Sequence, residues 1–404
     1  MKKVLILGVG AQGSTVAQRL DEESYVGEII CADHDKNAVD SLVQTLKKAK
    51  GLKIDGDKYK QILKAVQGVD LVINALPIKY GVNVLEAALE ARTNYMDFAV
   101  IEPISEQYII GVKYLYDYYG KRFAEVGKLA LIGAGSAPGL VCVVARRAVR
   151  ELDSCDTINI LLYGEMKCKR FIPFWWSPVD ALEAMAYEAY AFEDGEHIVT
   201  EPFSRPVYRR WPEMDNEEVE LVEHDHEEPI CMGYNAAEFF KGAKNIYFKY
   251  GGSEVEFARP FYEAGLLDDE VDDYGMIPFD YILAYMPPPP KTREEIQEII
   301  DEGGIVDEGA EVIEAYGMKN GKAVMVDAHI DSPGLEEAFK IAGITGEMYV
   351  TGQCGFFFSK MILEDSFYQQ GLISTDMLSD EQVDRFLDLA AEKDITCTIE
   401  IKDQ

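Results

Sequence analysis

Gly8-Val9-Gly10-Ala11-Gln12-Gly13 follows directly on a short apolar run, residues 4–7, and opens a stretch with helical periodicity, residues 11–20. No other feature of the chain restricts the backbone so tightly. In such a strand–turn–helix, the first glycine permits a sharp turn and the second lets the backbone approach a ligand. The third lets the helix lie close against the strand. The first amides of the helix then face outward with the positive end of its dipole, a ready seat for an anion such as pyrophosphate. Asp33 ends the next apolar strand, residues 28–32, at the distance expected of a ribose-binding carboxylate. A carboxylate there binds both ribose hydroxyls and repels a 2′-phosphate, so the pattern predicts NAD rather than NADP as cofactor. The expected cofactor contacts are Gly8, Gly10, Ala11, Gln12, Gly13 and Asp33. Asp55, ending the third strand, and Asn74, Ala75 and Pro77, ending the fourth, join them. The stretch Asp55-Gly56-Asp57 reads equally well as an ordinary turn.

Around this loop, strand and helix signals alternate. Apolar strand runs at 28–32, 52–55, 70–75, 95–98 and 129–132 are separated by helical stretches at 38–49, 59–66 and 82–91. That rhythm means parallel βαβ units and an open, doubly wound sheet of the Rossmann type. A second glycine loop, Gly133 to Gly139, contains Pro138, which has no amide to offer a phosphate, and reads as a tight turn before a helix at 140–150. Beyond it the texture changes to a mixed α+β pattern. Strands are expected at 158–163, 198–201, 246–250 and 323–329, mostly antiparallel, with a long helix at 179–192. The acidic stretch 215–228 reads as an exposed loop or strand edge. The tail carries helices at 351–370 and 380–393 and a strand at 396–401. The fold class expected is α/β: a Rossmann domain formed by residues 1–135 and completed by 350–404, plus an α+β substrate and dimerisation domain, 136–349.

Composition narrows the function. A chain of 404 residues, 48% hydrophobic, has enough material for two cores. A net charge of −33 repels nucleic-acid phosphates and anionic membranes. It serves solubility, or draws in a cationic substrate. The 7 cysteines form no C-x-x-C pair, which gives neither a disulfide framework nor a zinc site and fits a reducing cytoplasm. No apolar stretch approaches the roughly 20 residues that span a bilayer. His224-Asp225-His226 has no third ligand at metal spacing, so no metal is expected. A homodimer is the default assembly.

Several stretches together resemble the saccharopine dehydrogenase family, which includes saccharopine reductases and lysine 6-dehydrogenases. They are the glycine loop, Cys31-Ala32-Asp33-His34-Asp35, Val72-Ile73-Asn74-Ala75-Leu76-Pro77, Thr93-Asn94-Tyr95-Met96-Asp97 and Ser136-Ala137-Pro138-Gly139-Leu140. Phe174-Trp175-Trp176-Ser177-Pro178 followed by Asp194-Gly195 is similar to a segment on that family's substrate side. The place leading into the second glycine loop, where family members often carry an acid, is uncharged here: Leu131-Ile132-Gly133-Ala134.

The resemblance implies an NAD(P)-dependent oxidoreductase acting on a C–N bond of an amino acid of saccharopine or lysine type. A carboxynorspermidine dehydrogenase-like polyamine enzyme, a carbon–oxygen dehydrogenase and a non-catalytic NAD(H)-binding protein are the alternatives. Amine oxidation needs an acid–base group near the reacting carbon and a cation for the substrate carboxylate. Asp97 ends a predicted parallel strand and is the first candidate to orient or deprotonate the amine; a buried structural carboxylate is the competing reading. Lys79 and Tyr80 follow the fourth strand, within reach of nicotinamide or substrate. Arg146 or Arg147 is expected to bind a carboxylate. Trp175, Trp176 and Ser177 are candidates to wall the substrate, and Glu165 to hold a second ammonium.

Overall fold

The strands and helices build two compact units, Met1–Arg146 with Tyr349–Lys393, and Arg147–Met348 with Asp394–Gln404. The computed structural model describes residues 1–101 and 107–403.

The first unit holds β1 (Lys2–Leu7), β2 (Val26–Asp33), β3 (Ala49–Lys53), β4 (Leu71–Asn74), β5 (Asn94–Asp97) and β6 (Leu129–Ile132). A seventh strand, Gly371–Ser374, comes from the far end of the chain and is β15 in chain order. All are parallel, in the order β15-β6-β5-β4-β1-β2-β3. Val4 to Leu7, Leu71 to Ile73 and Ala130 to Ile132 are fully buried, as befits strands covered on both faces by helices. The winding direction reverses between β1 and β4. The carboxyl ends of those two strands therefore border the crevice where open α/β sheets take ligands. Gly8–Gly13 and the segment after Asn74 are the two loops there. Residues 350–404, expected to return to this sheet as a block, divide. Tyr349–Lys393 lies in the first unit, whereas the last strand, β16 (Thr396–Asp403), pairs in the second sheet.

The second unit carries β7 (Ser154–Lys167), β8 (Ala189–Glu193), β9 (Glu196–Thr200), β10 (Val207–Arg210), β11 (Glu218–Glu223), β12 (Asn245–Gly252), β13 (Val306–Lys319) and β14 (Lys322–Asp331). The sheet runs β10-β11-β12-β7-β13-β14-β16, with β8 and β9 branching from β12. It is mixed: β7 and β12 are parallel, the other pairs antiparallel. The long connection from β7 to β12 supplies the crossover a parallel pair requires.

Two expectations fail here for local reasons. The helix expected over 179–192 ends early, as Pro178–Ala186, and 189–193 is strand β8. Asp194 and Gly195 both have positive φ, 51° and 86°, and close a tight β8–β9 hairpin that a helix would forbid. The acidic stretch 215–228 is not a loose loop. Within it, Val219 and Leu221 turn into a core with Leu161, Trp211 and Val312, while Glu218 faces solvent. The alternation of a half-buried strand was hidden by the density of acids. Among the described residues, no helix is long and apolar enough to cross a membrane.

Helix Asp380–Ala391 buries Phe386 against Phe357 and Phe358, with ring centroids 5.6 and 4.5 Å away. If this returning segment is integral to the first unit, Phe386→Ala costs about 3–5 kcal/mol in denaturant unfolding. A cost under about 1 kcal/mol, the range of a surface site, contradicts it.

Candidate active site

Gly8 sits at φ +91°, and a Cβ there would lie 2.3 Å from the Ala75 carbonyl oxygen. A Cβ on Gly13 would lie 2.0 Å from the Gly8 carbonyl oxygen. These glycines are demanded by packing: β1, the first helix (Ala11–Glu22) and the loop after β4 meet with no room for a side chain. Gly10 is different. A Cβ there meets nothing within 4 Å, and Gly10 is the N-cap of that helix. The loop is closed toward the protein and open at the helix N-terminus, which is the cradle a pyrophosphate fits. Ala11 and Gln12 form its first turn, both partly exposed. Asp33 accepts the Val9 amide on Oδ2 at 2.9 Å and the Asp35 amide on Oδ1 at 2.9 Å. It thereby ties the end of β2 to the glycine loop. Carboxylate oxygens have further lone pairs, so Asp33 is placed to take ribose hydroxyls as well.

Asp55 accepts the Asp57 amide at 3.0 Å and caps its own turn. Ala75 contributes its carbonyl to the contact with Gly8. Pro77 precedes a short 3₁₀ turn, Ile78–Tyr80. Tyr80 lies over that same Asp55–Asp57 turn, its ring 3.0 Å from the Cβ position of Gly56, and Lys79 is exposed with its ammonium 5.1 Å from the Tyr80 ring centroid. These contacts place Tyr80 against the turn that follows β3. For Lys79 they show no catalytic partner.

Asn74 and Asp97 are paired across β4 and β5, and both are buried. Asn74 Nδ2 donates to Asp97 Oδ2 at 2.7 Å, the Tyr95 hydroxyl donates to the same oxygen, and the Ala99 amide donates to Oδ1 at 3.2 Å. Asn74 Oδ1 in turn accepts the Leu76 amide at 3.3 Å. Burial pushes the Asp97 carboxyl up, to about 6, against the lowering effect of these donors. Both carboxyl oxygens are engaged within the protein. These bonds tie the end of β5 to the end of β4.

Of the other substrate-side candidates, the structure reassigns several. Arg146 bonds the Leu378 carbonyl and pairs with Asp380 at 3.3 Å; Arg147 pairs with Glu151 at 2.8 Å. Trp175 is 2% exposed and packs with Ile296, Ile299, Leu335 and Phe339, so it is core. Ser177 caps the helix Pro178–Ala186 by accepting the Asp180 amide at 3.3 Å. Glu165 is bound by Lys167 and by the Tyr163 hydroxyl. Trp176 alone points to a site: its Nε1 donates to Glu254 Oε2 at 3.3 Å.

That contact leads to a cluster which motif reading missed. Tyr250 and Glu311 both pair with Leu162 of β7, so all three share one face of the second sheet. The next row on that face is Gly252, Gly164 and Gly309. It is a floor without side chains: a Cβ on Gly164 would find only the Tyr250 hydroxyl, 3.6 Å away. Glu254, in the first turn after β12, is 5% exposed and accepts from Tyr250 at 3.4 Å as well as from Trp176. Burial pushes Glu254 and Glu311 each up to about 7. Glu347, in the first turn of the helix Gly346–Leu363, is exposed. Nothing in the sequence singles out Glu311, which is one of four acids in the strand Val306–Lys319.

The same wall continues through His224, whose ring centroid lies 5.0 Å from that of Tyr250. His226 stacks on Phe248 at 3.9 Å and pairs through Nδ1 with Glu228 Oε2 at 2.7 Å. Burial alone would lower the His226 pKa; Glu228 and Glu227 outweigh it and raise it to about 9. Ligand atoms of His226, Glu227 and Glu228 fall within 4.8 Å of one another, so the extra acids near His226 come from the following helix turn. The His226–Glu228 ion pair accounts for that grouping.

Residues 4–119 match the saccharopine dehydrogenase NADP binding domain. A carboxynorspermidine synthase from Vibrio alginolyticus is 26% identical over 310 residues, 71% of this chain and 73% of that protein. A carboxyaminopropylagmatine dehydrogenase from Synechocystis is 25% identical over 309 residues, 73% of this chain and 74% of that protein. The fold is shared with saccharopine dehydrogenase (L-Glu forming) from Saccharomyces cerevisiae, at TM-score 0.70 and 14% identity over 99% of this chain and 100% of that one. It is shared too with a homospermidine synthase from Legionella pneumophila solved with NAD, at TM-score 0.69 and 13% identity over 99% and 91%.

Two outcomes check this geometry. Gly13→Ala should lower the melting temperature and abolish NADH binding. Gly10→Ala, which meets no protein atom, should leave the melting temperature within a degree or so and still weaken NADH in fluorescence titration. Equal melting temperatures for both variants contradict the packing. The buried carboxyls also set a pH dependence. Their folded pKa values of about 7 exceed the roughly 4 of the unfolded chain, so their contribution is full below about pH 4 and is lost as pH rises through 7. His226, raised to about 9, acts in the same direction between about pH 6.5 and 9. The ligand-free protein should therefore melt several degrees lower at about pH 8.5 than at about pH 6.5; a rise across that window contradicts the assignment.

Proposed function

We propose that this saccharopine dehydrogenase-like chain is an NAD(P)-dependent oxidoreductase of a CH–NH bond, working on a secondary amine that carries a carboxylate. The observation that carries the reading is the dinucleotide cradle at Gly8–Gly13 beside the buried Asn74–Asp97 pair at the ends of the neighbouring strands. When bound, nicotinamide supplies the hydride acceptor. In the oxidative direction the C–N carbon loses a hydride and the nitrogen a proton. Water then converts the imine to a carbonyl compound and a free amine. The names of the two relatives, both carboxylated amines, favour a carboxylated polyamine over a saccharopine- or lysine-type amino acid as substrate class. The Asp33 carboxylate favours NAD(H) over NADP(H).

The chain's own part is positional. Asp97 holds the loop from Asn74 to Pro77 and its own strand end in one arrangement, through Tyr95, Asn74 and the Ala99 amide. A buried carboxyl poised at about 6 makes that arrangement sensitive to its ionisation. Asp97 is a positioning residue in this reading.

Purified protein with NADH, a carboxylated aldehyde and a diamine should lose NADH absorbance, and NADPH should bind at least about tenfold more weakly, the cost of one poorly met charge. Tight NADH binding with no turnover on any carboxylated amine, in either direction, overturns the reading. Asp97→Asn should lower kcat by about tenfold or more and remove an ionisation near pH 6 from the kcat/KM profile, with NADH affinity unchanged. A kcat loss with an unaltered profile assigns Asp97 a purely structural role.

A further inference from the structure

Asp33 has more neighbours than a ribose-binding carboxylate can keep. Its Oδ2 accepts the Val9 amide and its Oδ1 the Asp35 amide, each at 2.9 Å. A third group stands on the same carboxylate: His34 Nδ1 lies 2.8 Å from Oδ1. The two oxygens have about four lone-pair sites between them, so these three neighbours leave about one open. A ribose diol needs one for each hydroxyl. The Val9 amide belongs to the glycine loop, and Asp35 is the N-cap of the helix Lys36–Thr45, so neither can move aside. The His34 side chain is 85% exposed, with little packing to hold it. It is the one neighbour of the Asp33 carboxylate that is free to leave.

We infer that His34 sets how far this site prefers NAD(H): it competes with the adenosine ribose for Asp33, and it shields that carboxylate from the 2′-phosphate of NADP(H). This role rests on the dinucleotide part of the proposed function and deepens it. For NAD(H), both hydroxyls reach Asp33 only once His34 turns into solvent, so the imidazole lowers affinity. For NADP(H) the sign is reversed. A phosphate is repelled by the carboxylate, and an imidazole nitrogen held against Oδ1 keeps the two anions apart. Lys53 works on the same side. It is the register partner of Asp33 on β3, so the two side chains leave one face of the sheet, and it is exposed. Among the described residues no carboxylate pairs with Lys53, whereas Lys36, the other cation nearby, is taken by Asp40. His34 and Lys53 together narrow the preference that Asp33 alone would impose.

Fluorescence titration of the full chain with NADH and with NADPH, at one pH and ionic strength, tests this without turnover. His34→Ala should tighten NADH about two- to fivefold, the range of one exposed pair, and weaken NADPH by a similar factor. His34→Asn, whose side-chain amide can stand where Nδ1 stands, should bind NADH as the wild type does. Lys53→Ala should weaken NADPH and leave NADH within about twofold. Both positions are exposed, so all three variants should keep the wild-type melting temperature. NADH not tightened by His34→Ala, NADPH not weakened by it, or an equal gain in His34→Asn overturns the role of His34. NADPH unmoved by Lys53→Ala overturns the part of Lys53. A wild type that binds neither coenzyme overturns the oxidoreductase reading and the role of His34 with it. A wild type that binds NADH, with His34→Ala no tighter, overturns the role of His34 alone and leaves that reading standing.

Discussion

The contact between Gly13 and the Gly8 carbonyl carries the nucleotide side of this protein. No side chain fits there, so the first helix lies directly on the first strand and its N-terminus opens at the edge of the sheet. Gly8 in turn sits on the Ala75 carbonyl, which locks the loop after the fourth strand to the same point. Asp33 closes the arrangement by holding the Val9 amide. Three strand ends are thereby fixed to one turn, beside the Asn74–Asp97 hydrogen bond at the ends of β4 and β5. The steric rule comes first and the binding of an anion follows from it.

The second unit works by the opposite device, an electrostatic demand left unmet. Its sheet face brings together carboxyls that in water would be charged and in the fold are costly to ionise. The net charge of −33 does not reveal this, because nearly all of it is solvated surface. A few buried acids carry the information that the total hides. Asp97, Glu223, Glu228 and Glu314 are buried acids whose partners the protein supplies.

Most of the parallel half was legible because the inner parts of β1, β4 and β6 are short apolar runs set between helical periods, a pattern that strands buried on both faces must show; β3, mostly exposed and only partly apolar, falls at 49–53 and not at the expected 52–55. The glycine loop and Asp33 were legible for the same kind of reason: each is required by close backbone approach or strand-end geometry. The second unit was harder. Strand β11 hides its alternation under acids, and β8 looks helical until the Asp194-Gly195 turn is seen. The substrate side was least legible. Trp175 and Trp176 are adjacent in sequence, yet one is core and the other bonds Glu254, and the segment that holds them is neither strand nor helix, so no periodicity marks which is which. Arg146 and Arg147 are absorbed by local ion pairs. Glu311 belongs to its row only because β7 and β13 pair in a register that no motif encodes.

One measurement reaches the central claim, that a nicotinamide hydride is exchanged with the carbon of a C–N bond in a carboxylated amine. NADH carrying deuterium at the transferable C4 position is incubated with the protein, a carboxylated aldehyde and 1,3-diaminopropane, and the coupled amine is analysed by mass spectrometry with fragmentation. The account predicts a secondary amine heavier by one deuterium, with the label on the carbon bonded to nitrogen. Deuterium on an alcohol carbon of the reduced aldehyde, with no coupled amine formed, would contradict it and make the protein a carbon–oxygen dehydrogenase.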